Sequence, residues 1–120
     1  MAARWEYLTV QWIWQKTNPD NPGDESAEWT SKYTINVRRP GSSEPEVVST
    51  ETHIWRNGMT EWELAEKQST DIFTLNNELG AEGWECYSVV TMQSAVVQRP
   101  GFEAASYPLD MRHYFKRPVA

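Results

Sequence analysis

The chain has 120 residues, a net charge of −6 and one cysteine, Cys86. This length is typical of a single domain with one core. The negative charge argues against nucleic acid as the main partner, because phosphates attract clustered Lys and Arg. No apolar run approaches the roughly 20 residues of a membrane-spanning helix, and the N-terminus predicts no secretion signal. We expect a protein of the cytoplasm or of a virion, with no membrane partner and no internal disulfide.

The first predicted strand runs from about Trp5 to Gln15. Because strand side chains alternate between faces, Trp12 and Trp14 point one way and Ile13 points the other. Apolar residues on both faces indicate a central strand or a covered edge. Residues 16–26, rich in Pro, Asn, Asp and Gly, are typical of a loop.

Two alternating segments and a turn motif follow. Residues 28–38 alternate between apolar and polar side chains, as a half-buried antiparallel strand does, and residues 47–56 form the third predicted strand. Asn57-Gly58 predicts a type I′ hairpin, in which both residues have positive φ. A fourth strand then covers 59–64, although the segment "EWELAEKQ", 61–68, equally fits the start of a helix. The cross-strand pairs predicted by this turn are Trp55 with Thr60 and His53 with Trp62.

One helix is predicted within residues 69–80, where Ile72, Leu75 and Leu79 have helical spacing. Ser69 or Thr70 suits its N-cap. The helix then leads into a helix-to-strand corner. There, Gly80 suits a left-handed terminating residue, Gly83 allows a close approach of the chain, and Trp84 folds back over the core.

The C-terminal part contains two predicted strands, 84–92 and 111–117. In the first, Cys86 lies on the inward face as a small core residue. Residues 93–110 are expected to form a long irregular connection, which contains Pro100-Gly101 and Pro108.

Together these elements predict a single α+β domain, 1–120, with two layers. One layer is an antiparallel sheet, and the other is the helix, packed over strands one, five and six. The predicted nucleus comprises residues 4–15, 69–92 and 111–117. The strands within 28–64 are an insertion, a β-hairpin extension that lengthens the sheet or projects from it.

Three segments together resemble a small bacterial and phage family of unknown function. They are "WEYLTV" at the start, "LNNELGAEGWECYSVV" in the middle and "YFKRP" at the end. Members of that family read approximately WEYKVV, LNELGAEGWELVSV and FFKR. The resemblance covers about half the chain and implies a compact sheet with one helix, often in oligomers, and no catalytic residues. It makes the inserted segments the part particular to this protein.

Candidate metal and nucleophile sites are weak. The soft ligands His53, His113 and Cys86 lack the short spacing of zinc sites. Between Trp84 and Ser88 on an inward-facing strand, Cys86 fits a core residue better than a nucleophile. We therefore expect neither a metal nor another cofactor.

Other candidate chemistry is equally weak. The acidic pairs Glu61 with Glu63 and Asp20 with Asp24 suit a solvated surface better than glycoside hydrolysis. The segment "GAEG" follows a helix, whereas an anion-binding loop precedes one. We expect no enzyme. A small basic cluster fits the polar face of the last strand, and it comprises Arg112, Lys116 and Arg117.

The seven tryptophans are the anomaly of this composition. We expect Trp84, Tyr87 and Phe115 in the core, and Trp5 and Tyr7 with them. Large aromatic side chains on the inserted segments have less material to bury them, and tryptophan is enriched at the centres of interfaces. The predicted protein interface comprises Trp12, Ile13, Trp14, Trp29, Trp55 and Trp62.

Two functions fit this pattern. The first is a non-enzymatic structural or assembly protein acting through protein–protein contacts, by self-association or within a larger assembly. Its concrete form, given the phage members of the family, is a minor capsid or head decoration protein. The alternative is a ligand-binding module whose aromatic residues line a groove for a glycan or a peptide. Internal packing of the hairpins against each other is a further explanation of the tryptophans.

Overall fold

A computed structural model describes residues 4–97 and 105–119, with side chains described outside 93–108. It contains one short helix, α1, Ile72–Ala81. The strands are β1 Trp5–Thr17, β2 Glu28–Arg38, β3 Glu46–Arg56, β4 Glu63–Glu66, β5 Glu85–Val97 and β6 Ala105–Pro118.

All six strands form one antiparallel sheet in the order β4-β3-β2-β1-β6-β5. The strands of the inserted segment therefore extend the sheet of the nucleus. The α+β expectation is wrong, because the described residues are mostly strand with one ten-residue helix, and the structure looks all-β. The expected sheet and helix are both present, but β5 and β6 are longer than the sequence pattern indicated.

The N-terminus of α1 differs from the sequence expectation. Asp71 is the N-cap, and its Oδ1 accepts a hydrogen bond from the backbone N–H of Thr74 at 2.8 Å. The predicted caps instead tether the segment to β3, since the N–H groups of Ser69 and Thr70 donate to the hydroxyl of buried Ser49 at 3.0 and 3.2 Å. This arrangement fixes where α1 begins above the sheet.

The helix ends in a Schellman motif. The N–H of Trp84 donates to the carbonyl of Leu79 at 3.0 Å, and the N–H of Gly83 donates to the carbonyl of Gly80 at 3.0 Å. Gly83 has φ +91°, whereas Gly80 lies within α1 and has no positive φ. The prediction of a left-handed Gly80 is therefore wrong, and Gly83 takes that role. Trp84 is buried, as predicted.

The core lies between α1 and the central strands. One face of the sheet, the helix face, carries Leu8 and Val10 of β1 and Phe115 of β6, and these pack with Leu75 and Leu79 of the helix. Ile35, Val37 and Trp84 complete the cluster of fully buried apolar residues. The helix thus packs over β1 and β6 and contacts β5, as expected, and its core cluster also includes residues of β2.

The β3–β4 connection is not the predicted two-residue hairpin. Only Gly58 has positive φ, +87°, and the N–H of Met59 donates to the carbonyl of Arg56 at 3.1 Å. A type I′ turn requires positive φ at both central residues, so that prediction is wrong. The observed pairs are His53 with Leu64 and Ile54 with Glu63, not Trp55 with Thr60 or His53 with Trp62.

The connection predicted at 93–110 is largely strand. β5 continues to Val97, and β6 begins at Ala105. Bulges between Cys86 and Ser88 and between Thr91 and Ser94 accommodate the irregular register. The rest of the predicted connection, 98–104, lies outside the described residues.

The molecule is elongated. Its radius of gyration is 18.4 Å and its longest dimension is 66 Å, whereas a compact chain of this length has a radius of gyration of about 14 Å. Because the sheet is long, it has a large surface that the ten-residue helix cannot cover alone.

Candidate interaction surface

Five aromatic side chains lie together on the helix face, from the margin of the core outward. The register pairs Trp14 with Tyr33 and Trp29 with Trp55, and directly paired residues lie on the same face. We call this set the aromatic strip, and it comprises Trp12, Trp14, Trp29, Tyr33 and Trp55.

The rings of the aromatic strip contact one another. The Trp14 ring stacks on Tyr33 at 5.7 Å between centroids and 7° between planes, and Trp12 lies 5.6 Å from the same ring. Trp29 and Trp55 meet edge to face at 4.7 Å. The indole Nε1–H of Trp14 also donates to the hydroxyl of Ser31. These contacts hold the rings in a fixed array.

The aromatic strip lies beyond the reach of the helix because of simple dimensions. Ten helical residues span about 15 Å, whereas the 13 residues of β1 span about 43 Å. The helix covers Leu8 and Val10, and Trp12 packs at the margin of that core. Trp14 and its neighbours extend further along the sheet.

The structure separates the members of the predicted interface. Trp12, Trp14, Trp29 and Trp55 join the aromatic strip, and each is half-buried, so ring–ring packing within one chain provides part of their cover. Ile13 is half-buried on the opposite face, as the alternation predicts. Trp62 lies in the β3–β4 connection and is 46% exposed.

A second aromatic group lies on the open face, opposite the helix. Trp5, Tyr7 and Tyr87 are 42%, 57% and 49% exposed, so their expected place in the core is wrong. Tyr7 and Tyr87 are 6.3 Å apart, and the Nζ of Lys116 lies 4.7 Å from the Trp5 ring. The sequence did contain the signal, since Trp5 and Tyr7 alternate with Leu8 and Val10, and one helix covers one face only.

The soft metal ligands of the sequence do not converge. His53 lies near Glu51 at 3.5 Å, and His113 is buried under the helix with its Nδ1 3.2 Å from the Asn76 amide. Burial lowers the pKa of His113. Cys86 is exposed on β5, so the expectation of a core cysteine is wrong. Within 4–97 and 105–119, no group of three metal-ligating side chains is found.

The carboxylates singled out earlier make ordinary surface contacts. Glu63 pairs with Arg56 at 3.1 Å. Asp24 accepts from the N–H of Ser26 at 3.1 Å, which lowers the pKa of Asp24. These contacts assign no catalytic task to either group.

The basic cluster of β6 divides between the two faces. The guanidinium of Arg117 lies on the helix face, 4.2 Å from the Trp84 ring, and it donates to Glu6. Arg112 and Lys116 lie on the open face. The three residues therefore do not form one basic patch, and Arg117 does not lie on the polar face where it was expected.

Comparisons with family models, curated proteins and solved structures found no match to this chain. The resemblance of three segments to the bacterial and phage family remains a prediction. In the described part of the chain, no helix is long and apolar enough to cross a membrane.

Proposed function

We propose that this chain is a non-enzymatic assembly protein whose aromatic strip docks against the same strip of a second copy. The observation that carries the proposal is the position of the aromatic strip. It consists of rings held in register on a sheet face that the single helix is too short to cover.

Aromatic side chains of this kind suit the centre of an interface. Trp and Tyr supply large contact areas and are enriched among the residues that dominate binding energy. Rings already packed against each other lose little further side-chain freedom when a partner covers them. Exposed apolar patches on monomers rarely exceed a few hundred Å², so surrounding polar residues would form the rim of an interface of about 800 Å² per partner.

Charge favours a second copy as the occupant. The chain carries −6 overall, so two copies repel each other over most of their surfaces. Glu51 pairs with Tyr33 across β2 and β3 and lies beside the strip, but no member of the aromatic strip carries a formal charge. Two copies can therefore meet there with little like-charge contact. In its concrete form, suggested by the family resemblance, the assembly is a phage particle with this chain as a minor capsid or head decoration protein.

Light scattering coupled to size-exclusion chromatography tests self-association. We expect wild-type protein to move from the 13.9 kDa of one chain toward twice that mass as its concentration rises. Trp14→Ala shifts this transition to higher concentration. Trp62→Ala is the matched control, because Trp62 is exposed outside the aromatic strip, and it leaves the transition unchanged.

Wild-type protein that stays at the mass of one chain at every concentration would contradict self-association. Far-ultraviolet circular dichroism of both variants confirms that each is folded. Mass spectrometry of purified phage particles tests the virion form separately. Particles without this chain would contradict the virion form and leave self-association standing.

A further inference from the structure

The open face of the sheet contains a polar hollow of about 170 Å³. It is separate from the aromatic strip, which lies on the opposite face. We call it the arginine hollow. Its strand residues are Thr9, Gln11, Asn36, Arg38, Arg112 and Tyr114, and Pro45 adds a wall from the β2–β3 turn.

Strand register explains why these residues converge. Gln11 of β1 pairs with Asn36 on one side and Arg112 on the other, which makes one row across the sheet. Thr9 pairs in the same way with Arg38 and Tyr114, which makes the adjacent row. Side chains two residues apart share a face. The short Thr9 side chain between two long ones leaves the hollow.

The two arginines lie diagonally across the hollow. From the spacing of strands and of residues along them, their Cα atoms are roughly 12 Å apart, so both guanidinium groups reach a small group bound between them. Arg38 has no hydrogen-bond or ion-pair partner among the residues described. Arg112 lies 3.8 Å from Asp110, whose carboxylate accepts from the Gln11 amide at 3.1 Å. These three charged groups carry a net charge of +1.

Two shielded atoms in the hollow lack hydrogen-bond partners in the described structure. They are the Nε of Arg112, a donor that lies 3.8 Å from Asp110 without a hydrogen bond to it, and the Oδ1 of Asn36, an acceptor. A buried polar atom without a partner carries an energetic penalty, and a rotation of either side chain toward the hollow would let a ligand relieve it by supplying the missing group. The complementary ligand has an oxyanion for the arginine and a hydroxyl or N–H donor for the asparagine.

The open-face aromatic group continues from the hollow. Tyr114 lines the hollow, and its ring lies 6.4 Å from that of Tyr87, which is 6.3 Å from Tyr7. The faces of aromatic rings are electron-rich and attract the slightly positive C–H bonds of a saturated ring. A ligand anchored by its anionic group in the hollow has this aromatic surface beside it.

We propose that the arginine hollow binds a sugar acid, with its carboxylate between Arg38 and Arg112 and a hydroxyl donating to Asn36. A carboxylate matches the edge of a guanidinium group with two parallel hydrogen bonds. The volume is below the roughly 300–1,000 Å³ of drug-sized sites, so the hollow holds one acidic sugar group. The net charge of −6 disfavours a polyphosphate, and a single carboxylate carries less charge. This site goes beyond the assembly role and does not depend on it.

Isothermal titration with glucuronate, glucose, glucose phosphate and a short oligothymidylate tests this assignment. We expect saturable binding of glucuronate and none of glucose. Arg38→Gln weakens glucuronate binding roughly ten- to hundredfold, the range for one charged hydrogen bond. Arg39→Gln is the matched control, since Arg39 is the next residue and lies 3.6 Å from Glu82, away from the hollow; it leaves affinity unchanged.

Asn36→Leu is a second variant, chosen so that unfolding does not explain a loss of glucuronate binding. It removes an unpartnered buried acceptor, so the melting temperature stays the same or rises while glucuronate binding is lost. Chemical-shift changes at Arg38 and Tyr114 on adding glucuronate place the ligand. Equal affinity for glucose, tighter binding of the phosphate or the oligothymidylate, or an unaffected Arg38→Gln variant would each overturn the proposal.

Discussion

Replacing either of the two glycines at the end of α1 with alanine should change the free energy of unfolding, and the two changes should have opposite signs. Gly83 has φ +91° and Gly80 is helical, and a Cβ atom added at either one meets no atom within 4 Å. Neither substitution therefore creates a steric clash with the rest of the chain. The difference in unfolding free energy comes from backbone conformation alone.

The expected magnitudes follow from that difference. An L-residue in the left-handed region is destabilised by roughly 1–2 kcal/mol, so Gly83→Ala lowers the unfolding free energy by this amount. Alanine within a helix is favoured over glycine by roughly 0.5–1 kcal/mol, so Gly80→Ala raises it. For a chain of 120 residues, 1 kcal/mol corresponds to about 4 °C in melting temperature.

Urea denaturation of the two variants and wild type, followed by circular dichroism, measures both effects. Gly83→Asn serves as the control, because asparagine tolerates the left-handed region better than alanine and gives a smaller loss. A destabilised Gly80→Ala, or a Gly83→Ala variant as stable as wild type, would refute the Schellman assignment and restore Gly80 as the terminating residue.

Three further predictions concern packing and titration. A double-mutant cycle on Trp29 and Trp55 should give a coupling free energy of about 1 kcal/mol for their edge-to-face contact. A control cycle on Trp29 and Trp62 should give no coupling free energy. Because burial lowers the pKa of His113 in the folded state, the unfolded chain binds the proton more readily. Stability should therefore fall as pH drops below 6.5, and His113→Gln should show less of this fall. Hydrogen bonding to the Thr74 N–H lowers the pKa of Asp71, so the stability that Asp71 contributes should be lost on acidification below its ordinary pKa of 3.8, and Asp71→Ala should lower the melting temperature at neutral pH.

Local alternation predicted the strands well where one face meets the core. β2 matches its predicted bounds, 28–38, because its odd-numbered residues lie on the helix face, with the core or the aromatic strip, while its even-numbered residues lie on the open face. The register confirms that Trp12 and Trp14 lie on one face of the sheet and Ile13 on the other, as predicted. These features depend only on the two-residue repeat of side chains along a strand, which can be read from a single sequence.

The extent of β5 and β6 was not predictable in the same way. Residues 93–110 contain Pro100, Gly101 and Pro108, which indicated an irregular segment. Pairing between the two strands holds both extended as far as Val97 and from Ala105. Such pairing depends on a distant partner, so a local pattern does not reveal it. The all-β character follows mainly from this additional pairing.

The sequence contains a local signal for the end of the helix but none for the arginine hollow. Leu79 and Trp84 are apolar residues five positions apart, the spacing of the hydrophobic contact in a Schellman motif, and this spacing selects Gly83 over Gly80. The arginine hollow, by contrast, depends on register across three strands. Asn36, Gln11 and Arg112 are far apart in sequence, and no local motif connects them.

Hydroxyl-radical footprinting tests most directly whether a second copy covers the aromatic strip. Oxidation of Trp14, Trp29 and Trp55 is measured by mass spectrometry in the fraction with the mass of one chain and in the fraction with twice that mass. We predict that oxidation of these three indoles falls in the heavier fraction, while that of Trp5 and Trp62, exposed elsewhere, is unchanged. Equal oxidation of the aromatic strip in both fractions, or protection of Trp5 and Trp62 instead, would contradict the account.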